Sequence, residues 1–183
     1  MNEQRKMLAE TVEPLFPAIA AQQRGHSGAA GFAAAWTRVE ELRIADVLVA
    51  EDAGGFGGDW EDAYVVMRAA GYHALPLPAG ETLVARALLA GTTIEAPAQA
   101  AITIAPCAGV IAGSGVLKLR LKGVGWGGGQ ACVLIAFSHA GVEYLGLFDS
   151  AAADDCRARD SAASAPRRWR ARSRRRSRRP SRT

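Results

Sequence analysis

The chain has 183 residues, 49% of them hydrophobic, and its 22 lysines and arginines against 18 aspartates and glutamates give a formal net charge of +4. The sum hides two opposite parts: residues 1–156 carry a charge of −7, whereas residues 157–183, with twelve arginines and one aspartate, carry +11. The hydrophobic fraction allows a buried core, which excludes collagen-like and wholly disordered classes. The charge therefore has to be interpreted separately for the two parts.

The cysteines and the uncharged segments bear on the cellular location. Three cysteines without a Cys-x-x-Cys pair fit a reducing compartment and argue against disulfides or a zinc site. They are Cys107, Cys132 and Cys156. The uncharged residues 101–117 are too few for a membrane span, and Glu3, Glu10 and Glu13 do not fit a signal peptide. We therefore expect a cytoplasmic protein with no metal ion and no membrane contact.

Helical patterns occupy about the first hundred residues. A short helix is predicted over residues 2–13, ended by Pro14, because proline cannot continue the backbone hydrogen-bond ladder. A second helix is predicted over residues 29–43, where apolar residues at i, i+4 and i+7 share one face. Those residues are Phe32, Trp36 and Val39.

A glycine-rich loop at residues 51–58 precedes a third helix. Four glycines in five positions disfavour a regular helix or strand there. Asp59 is expected to cap the helix, which runs to about Tyr72, and Asp62 stands in the capping-box position.

A stiff Leu-Pro-Leu-Pro connector follows at residues 75–78. A fourth helix is predicted over residues 80–90, because its apolar residues form a helical stripe. Gly91 can take the left-handed conformation that ends it.

The pattern changes after Pro97 from helical to alternating. Apolar residues alternate with smaller or polar ones in three segments, and residues 133–137 form the continuous apolar run of a more buried strand. The predicted strands cover residues 102–104, 117–122, 133–137 and 143–148. The predicted fold class is α+β, with an all-helical domain over residues 1–98 followed by the first strands of an antiparallel β domain over residues 99–150.

Motifs of hydrolases, zinc enzymes and nucleotide-binding proteins are missing from the sequence. It contains no H-E-x-x-H, no G-x-S-x-G and no P-loop. Its histidines lie far apart with no carboxylate at ligand spacing, so we interpret them as structural or solvent-exposed. They are His26, His73 and His139.

Three segments together resemble the acyl-CoA dehydrogenase family. Residues 46–63 are similar to the family's P-E-x-x-G-G-x-G loop and its flanks, with Ala50 in place of the usual proline. Residues 75–83 look like the L-P-L-x-E-T string of one branch. Residues 121–126 and 131–136 are similar to that branch's G-x-V-P-W-x-x-x-A-x-x-V-L segment. The segments occur in the family's order and extend over about residues 1–150.

The resemblance implies an FAD-dependent enzyme of fatty acid or lipid metabolism that oxidises the α,β bond of an acyl-CoA thioester. In the family a carboxylate base removes the α proton and the flavin accepts the β hydrogen as hydride. That base is a glutamate of the C-terminal helical bundle, and Glu51, Glu61 and Glu81 do not correspond to it. We expect the C-terminal part to be missing and the chain to be inactive alone, with no catalytic residue of its own.

The same resemblance implies two candidate cofactor-binding residues. Ile104 stands in a segment, Ile-Ala-Pro, where the family has a T-E-P element that contacts the flavin, so that the hydroxyl is lost. Trp126 falls where the β domain approaches the flavin ring; the alternative is a tryptophan of the core.

Two alternative functions remain open at the level of the sequence. The chain can be a non-catalytic subunit that completes a site with a longer acyl-CoA dehydrogenase, in a homo- or hetero-oligomer. The tail, residues 151–183, can be an arginine-rich arm for nucleic acid, with Trp169 stacking on a base. Its composition is also what a GC-rich gene gives when it is translated out of frame. We favour such a frameshift product, disordered and without nucleic acid as a partner.

Overall fold

The computed structural model describes residues 3–24, 28–113, 116–121, 123–126, 131–150, 153–154 and 167–170. Four α-helices come first in this part of the chain: α1 (Glu3–Gln23), α2 (Ala29–Glu41), α3 (Trp60–Tyr72) and α4 (Ala79–Ala90). Strands follow: β1 (Ile102–Ile104), β2 (Cys107–Gly113), β3 (Val116–Leu121), β4 (Cys132–His139), β5 (Val142–Asp149), β6 (Ala153–Asp154) and β7 (Arg167–Arg170). The predicted order, helices before strands, is confirmed.

The first helix is longer than its prolines predict. It continues to Gln23 with Pro14 and Pro17 inside it, so the prediction that Pro14 ends it is wrong. A proline in a helix interior costs about 3 kcal/mol. Burial of each large side chain on the inner face contributes about 1.5–3 kcal/mol. That face consists of Val12, Phe16, Ile19 and Ala20, and together these residues offset the break in the ladder.

The cap of α3 is confirmed in detail. The Asp59 side chain accepts hydrogen bonds from the backbone N–H groups of Glu61, at 2.8 Å, and Asp62, at 3.0 Å. The Asp62 side chain accepts one in return from the Asp59 N–H, at 2.9 Å. This reciprocal pair is the capping box, built here with aspartate at the third position.

The glycine-rich loop folds back on the segment that precedes it. The Gly57 N–H donates to the Val49 carbonyl, and the Gly58 N–H donates to the Val47 carbonyl, both at 2.8 Å. A Cβ on Gly55 would lie 2.1 Å from the Val49 oxygen, so no other residue fits there without a backbone shift. The loop, which is one of the three segments of the resemblance, therefore has a packing role.

The helices enclose one core, and α4 joins it to the strands. The helical core includes the fully buried Phe16, Val39 and Leu83. The opposite side of α4 packs against strands β1 and β4 through a smaller buried cluster. That cluster consists of Ala85, Leu89, Ile102 and Leu134.

The strands form two sheets. The first has the order β1-β4-β5, with β4 parallel to β1 and antiparallel to β5. The second has the order β2-β3-β7-β6 and is antiparallel throughout. Ala140 and Gly141, with φ angles of 51° and 71°, make the tight turn between β4 and β5.

The parallel pairing of β1 with β4 corrects the prediction of a purely antiparallel sheet. The β2–β3 hairpin lies between these strands in the sequence and provides the long connection that a parallel pair needs. β2 is itself absent from the predicted strands. Its sequence, Cys-Ala-Gly-Val-Ile-Ala-Gly, lacks the alternation of apolar and polar residues on which the prediction depends.

Two short strands lie within the tail. β7 pairs with β3, and β6 pairs with β7. The other residues of 151–183, including Cys156, lie outside the described residues, so the disorder predicted for them stays a prediction. His26 also lies outside the described residues, and its interpretation stays a prediction too. In the part of the chain that the structure describes, no helix combines the length and apolar character needed to cross a membrane.

Candidate functional site

Of the two predicted cofactor-binding residues, Ile104 lies where α4 meets β1, and Trp126 lies against α2. Ile104 is the last residue of β1, and its side chain is 39% exposed. Trp126 follows β3 in a turn, is half-buried, and has its ring centroid 6.2 Å from that of Phe32 in α2. Its φ angle of 56° is uncommon for a bulky residue. Trp126 thus packs partly on the helical core.

The beginning of α4 is bonded to the open edge of β1. Among the described strands, β1 pairs with β4 on one side only. On the other side, the buried Thr82 hydroxyl donates to the Ile102 carbonyl at 3.0 Å and accepts from the Ile102 N–H at 2.9 Å. A threonine side chain therefore takes the place of a neighbouring strand and satisfies two buried backbone groups.

Glu81 extends this contact to the end of β1. Its Oε2 accepts a hydrogen bond from the Thr103 hydroxyl and a longer one, at 3.3 Å, from the Ile104 N–H. A Cβ on Gly125 would lie 4.0 Å from Glu81 Oε1 and 3.8 Å from Thr103 Oγ1. Glu81 is thus close both to Ile104 and to the residue that precedes Trp126.

Glu81 and Thr103 are the functional candidates that the sequence interpretation missed. The string that resembles L-P-L-x-E-T contains Glu81 and Thr82, the two residues that bind β1, and this is the signal that could have found them. Ile104 lacks the hydroxyl of the family's T-E-P element, but Thr103, one residue earlier, carries one. Thr103 is fully buried, and its hydroxyl donates a hydrogen bond to Glu81.

A second polar cluster joins α2, α4 and the single 3-10 turn at Ile44–Asp46 that follows α2. Arg86 donates to Glu40 Oε2 at 2.8 Å and to Asp46 Oδ1 at 2.9 Å. Burial acts to lower the pKa of Arg86, but the hydrogen bonds and charges of Glu40 and Asp46 outweigh it and raise that pKa above its ordinary value. Arg86 is therefore charged at neutral pH.

Two clefts flank this cluster. One, of about 400 Å³, lies between α2 and residues 98–101. The other, of about 530 Å³, lies on the side of Arg86 and Asp46. Glu40 lines both clefts, and so do Ala98 and Gln99. Neither of these two clefts is lined by Ile104 or Trp126.

Two further polar groups tie α1 to α3. Glu13 binds Arg68 at 3.0 Å and His73 Nε2 at 2.9 Å. Arg5 pairs with Asp59 and Asp62 at the beginning of α3. These contacts connect two helices through charged groups and give His73 a structural place, as the sequence interpretation expects.

The fit of a flavin can be judged from the donors and surfaces at the junction. The side chain of Ile104 offers exposed apolar surface, whereas the half-buried indole of Trp126 packs against Phe32. The Thr103 hydroxyl and the Ile104 N–H already donate to Glu81. At the end of β1 the described residues thus offer apolar surface at Ile104, while the donors of Thr103 and Ile104 are already bonded within the chain.

Among the residues for which the structure gives positions, no three histidine, cysteine, aspartate or glutamate side chains are grouped as ligands of a metal ion. Comparisons of the chain with protein-family models, with curated proteins and with solved structures found no match.

Proposed function

We propose that the chain is an acyl-CoA dehydrogenase-like flavoprotein, acting in the FAD-dependent α,β-oxidation of an acyl-CoA thioester and inactive without further residues. The observation that carries the proposal is the junction at Glu81 and Thr82. These two residues belong to a string of the resemblance, and they fasten the helices to β1 beside Ile104.

The residues of the chain have positioning roles in this proposal. A bound FAD would accept the hydride, and Ile104 and Trp126 are the two residues of this chain proposed to contact it. Glu81 has a positioning role, because its Oε2 accepts hydrogen bonds from Thr103 and Ile104 at the end of β1. A base must reach the substrate within hydrogen-bond distance. The resemblance assigns that role to a glutamate of a bundle that residues 157–183 do not resemble.

Reduction of the flavin tests the inactivity. The full chain is incubated anaerobically with FAD, an acyl-CoA is added, and the flavin absorbance is followed. We expect no bleaching by the chain alone. Bleaching would contradict its proposed inactivity.

Fluorescence anisotropy of FAD tests the cofactor role with matched variants. We expect weak but measurable binding, weakened further in Ile104→Asp because the charge would face the apolar ring. Leu88→Asp, which changes an exposed leucine of α4, is the control and should bind FAD like the unmodified chain. No FAD binding, or equal affinity in both variants, would argue against the proposal.

An open strand edge favours the alternative of a partner subunit. β5 lies at the edge of its sheet within the described residues, and such an edge can pair with another chain. Stable co-purification with a longer acyl-CoA dehydrogenase subunit, together with flavin reduction only in the complex, would support this alternative.

A further inference from the structure

A buried carboxylate oxygen at the boundary of the two clefts lacks a hydrogen-bond partner. The Glu40 side chain is 8% exposed, and its Oε2 binds Arg86. The other oxygen, Oε1, is buried and has no partner among the described residues. An unpaired buried acceptor opposes folding, and more so when it is charged, so its presence calls for an explanation.

The walls of the cleft beside α2 indicate what could supply the missing donor. Its apolar side is formed by Ala29, Phe32, Ala33 and Trp36. Residues 98–101 also line the cleft, and there the Gln99 carbonyl accepts from Trp36 Nε1 at 2.8 Å. Apolar surface beside an unpaired acceptor fits a ligand with an apolar body and a hydrogen-bond donor.

The charge at this place favours a cationic donor. Arg86 is shared by Glu40 and Asp46, so the three groups together carry one negative charge. Arg43 also pairs with Asp46, but its side chain is half-exposed and its charge is screened by solvent. An anion would meet the carboxylates of Glu40 and Asp46 as like charges.

We propose that the cleft between α2 and residues 98–101 binds a small amine with an apolar body, whose ammonium group donates to Glu40 Oε1. Since Oε1 is buried, binding requires a small displacement of Ala98 and Gln99, which are exposed and line both clefts. This site is separate from the junction at Glu81 and does not depend on the proposed oxidation.

Benzylamine is a suitable probe, and the indole N–H signal of Trp36 is a direct readout. That N–H is bonded to Gln99, so its position in a ¹H–¹⁵N spectrum reports on the displacement. Trp36→Phe assigns the signal among those of the four tryptophans. We expect a saturable shift with benzylamine and none with benzoate, which has a similar ring and the opposite charge.

Two neighbouring alanines of α2 provide the matched variants. Ala33 lines the cleft and Ala34 does not, and both are exposed. We expect Ala33→Phe to abolish the benzylamine shift by filling the cleft and Ala34→Phe to preserve it. Glu40→Gln should weaken binding about tenfold or more, because the hydrogen bond to a charged acceptor is lost.

Three results would each contradict the proposed amine site. No saturable shift with benzylamine, an equal shift with benzoate, or equal binding by Ala33→Phe and the unmodified chain would each overturn the proposal. If Glu40→Gln does not fold, the comparison of the two alanine variants and of the two probes still decides it.

Discussion

The carboxylate of Glu81 accepts a hydrogen bond from the buried hydroxyl of Thr103, and so joins the last helix to the end of the first strand. The contact lies one residue from Ile104 and close to Gly125. An effect of this contact on cofactor binding would therefore act through the positions of Ile104 and of the residues next to Gly125.

Removal of the Thr103 hydroxyl should weaken this junction. Thr103→Val keeps the shape of the side chain and leaves Glu81 Oε2 with the longer bond from Ile104 alone. We expect the free energy of unfolding, measured by urea titration, to fall by about 1–3 kcal/mol.

Thr37→Val is the control for this change. Thr37 lies on the exposed face of α2 and bonds only to the carbonyl one turn before it. Its replacement should change the free energy of unfolding by about 0.5 kcal/mol or less. An equal loss in both variants would mean that the Thr103 hydroxyl has no special role.

Thr82→Val should be more damaging than Thr103→Val. It removes both the donor to the Ile102 carbonyl and the acceptor of the Ile102 N–H, and it leaves two buried backbone groups unpaired. Each unpaired group costs about 1–3 kcal/mol. Hydrogen exchange of the Ile102 amide should accelerate accordingly.

Thr82→Ser separates the hydroxyl from the packing of the methyl group. Serine retains the donor and acceptor, so the Ile102 amide should stay more protected than in Thr82→Val. Equal exchange rates in the two variants would show that the hydroxyl does not protect the edge of β1.

The local patterns of the sequence predicted much of the local structure, but Gly91, with a φ angle of −85°, does not take the left-handed conformation predicted for it. The capping box of Asp59 and Asp62 and the helix of residues 80–90 depend on neighbours within one or two turns. The buried strand at residues 133–137 also follows from its own composition, and the structure extends it by only a few residues.

Features that depend on contacts between distant residues could not be predicted from local patterns in the sequence. The continuation of α1 through Pro14 needs the burial of its inner face in the helical core. The parallel pairing of β1 needs a connection through another sheet. At the candidate site, Ile104 and Trp126 were predicted by resemblance, whereas the bond between Glu81 and Thr103 joins residues 22 positions apart that no local pattern connects.

Arg86 should be one of the most sensitive positions of the helical part. Arg86→Met removes the cation that pairs with Glu40 and Asp46 and leaves both carboxylates mostly buried. Breaking a buried ion pair in this way costs about 3–5 kcal/mol, which urea titration at neutral pH would detect.

The exposed pair of Arg68 and Glu13 provides the comparison. Both side chains are more than 40% exposed, and such a surface ion pair contributes about 1 kcal/mol or less. Arg68→Met should therefore leave the stability nearly unchanged. Similar losses in Arg86→Met and Arg68→Met would contradict the importance assigned to burial.

The cap of α3 should make stability depend on pH in the acidic range. The backbone hydrogen bond from Asp62 is the main cause that lowers the pKa of Asp59 below its ordinary value of 3.8; desolvation opposes it, while the Glu61 N–H and Arg5 add to it. A carboxyl whose pKa is lower in the folded state stabilises the fold above its unfolded pKa. That stabilisation is lost as the pH falls through the folded pKa.

Two variants test both the cause of the lowered Asp59 pKa and the direction in which stability changes with pH. Asp59→Asn can still cap the helix but has no charge, so its stability deficit should be present at pH 6 and shrink as the pH falls below 3.8. Arg5→Met should raise the NMR titration midpoint of Asp59 only partly, because the backbone donors remain. A midpoint at or above 3.8 in the unmodified chain, or a deficit of Asp59→Asn that grows in acid, would contradict this account of the cap.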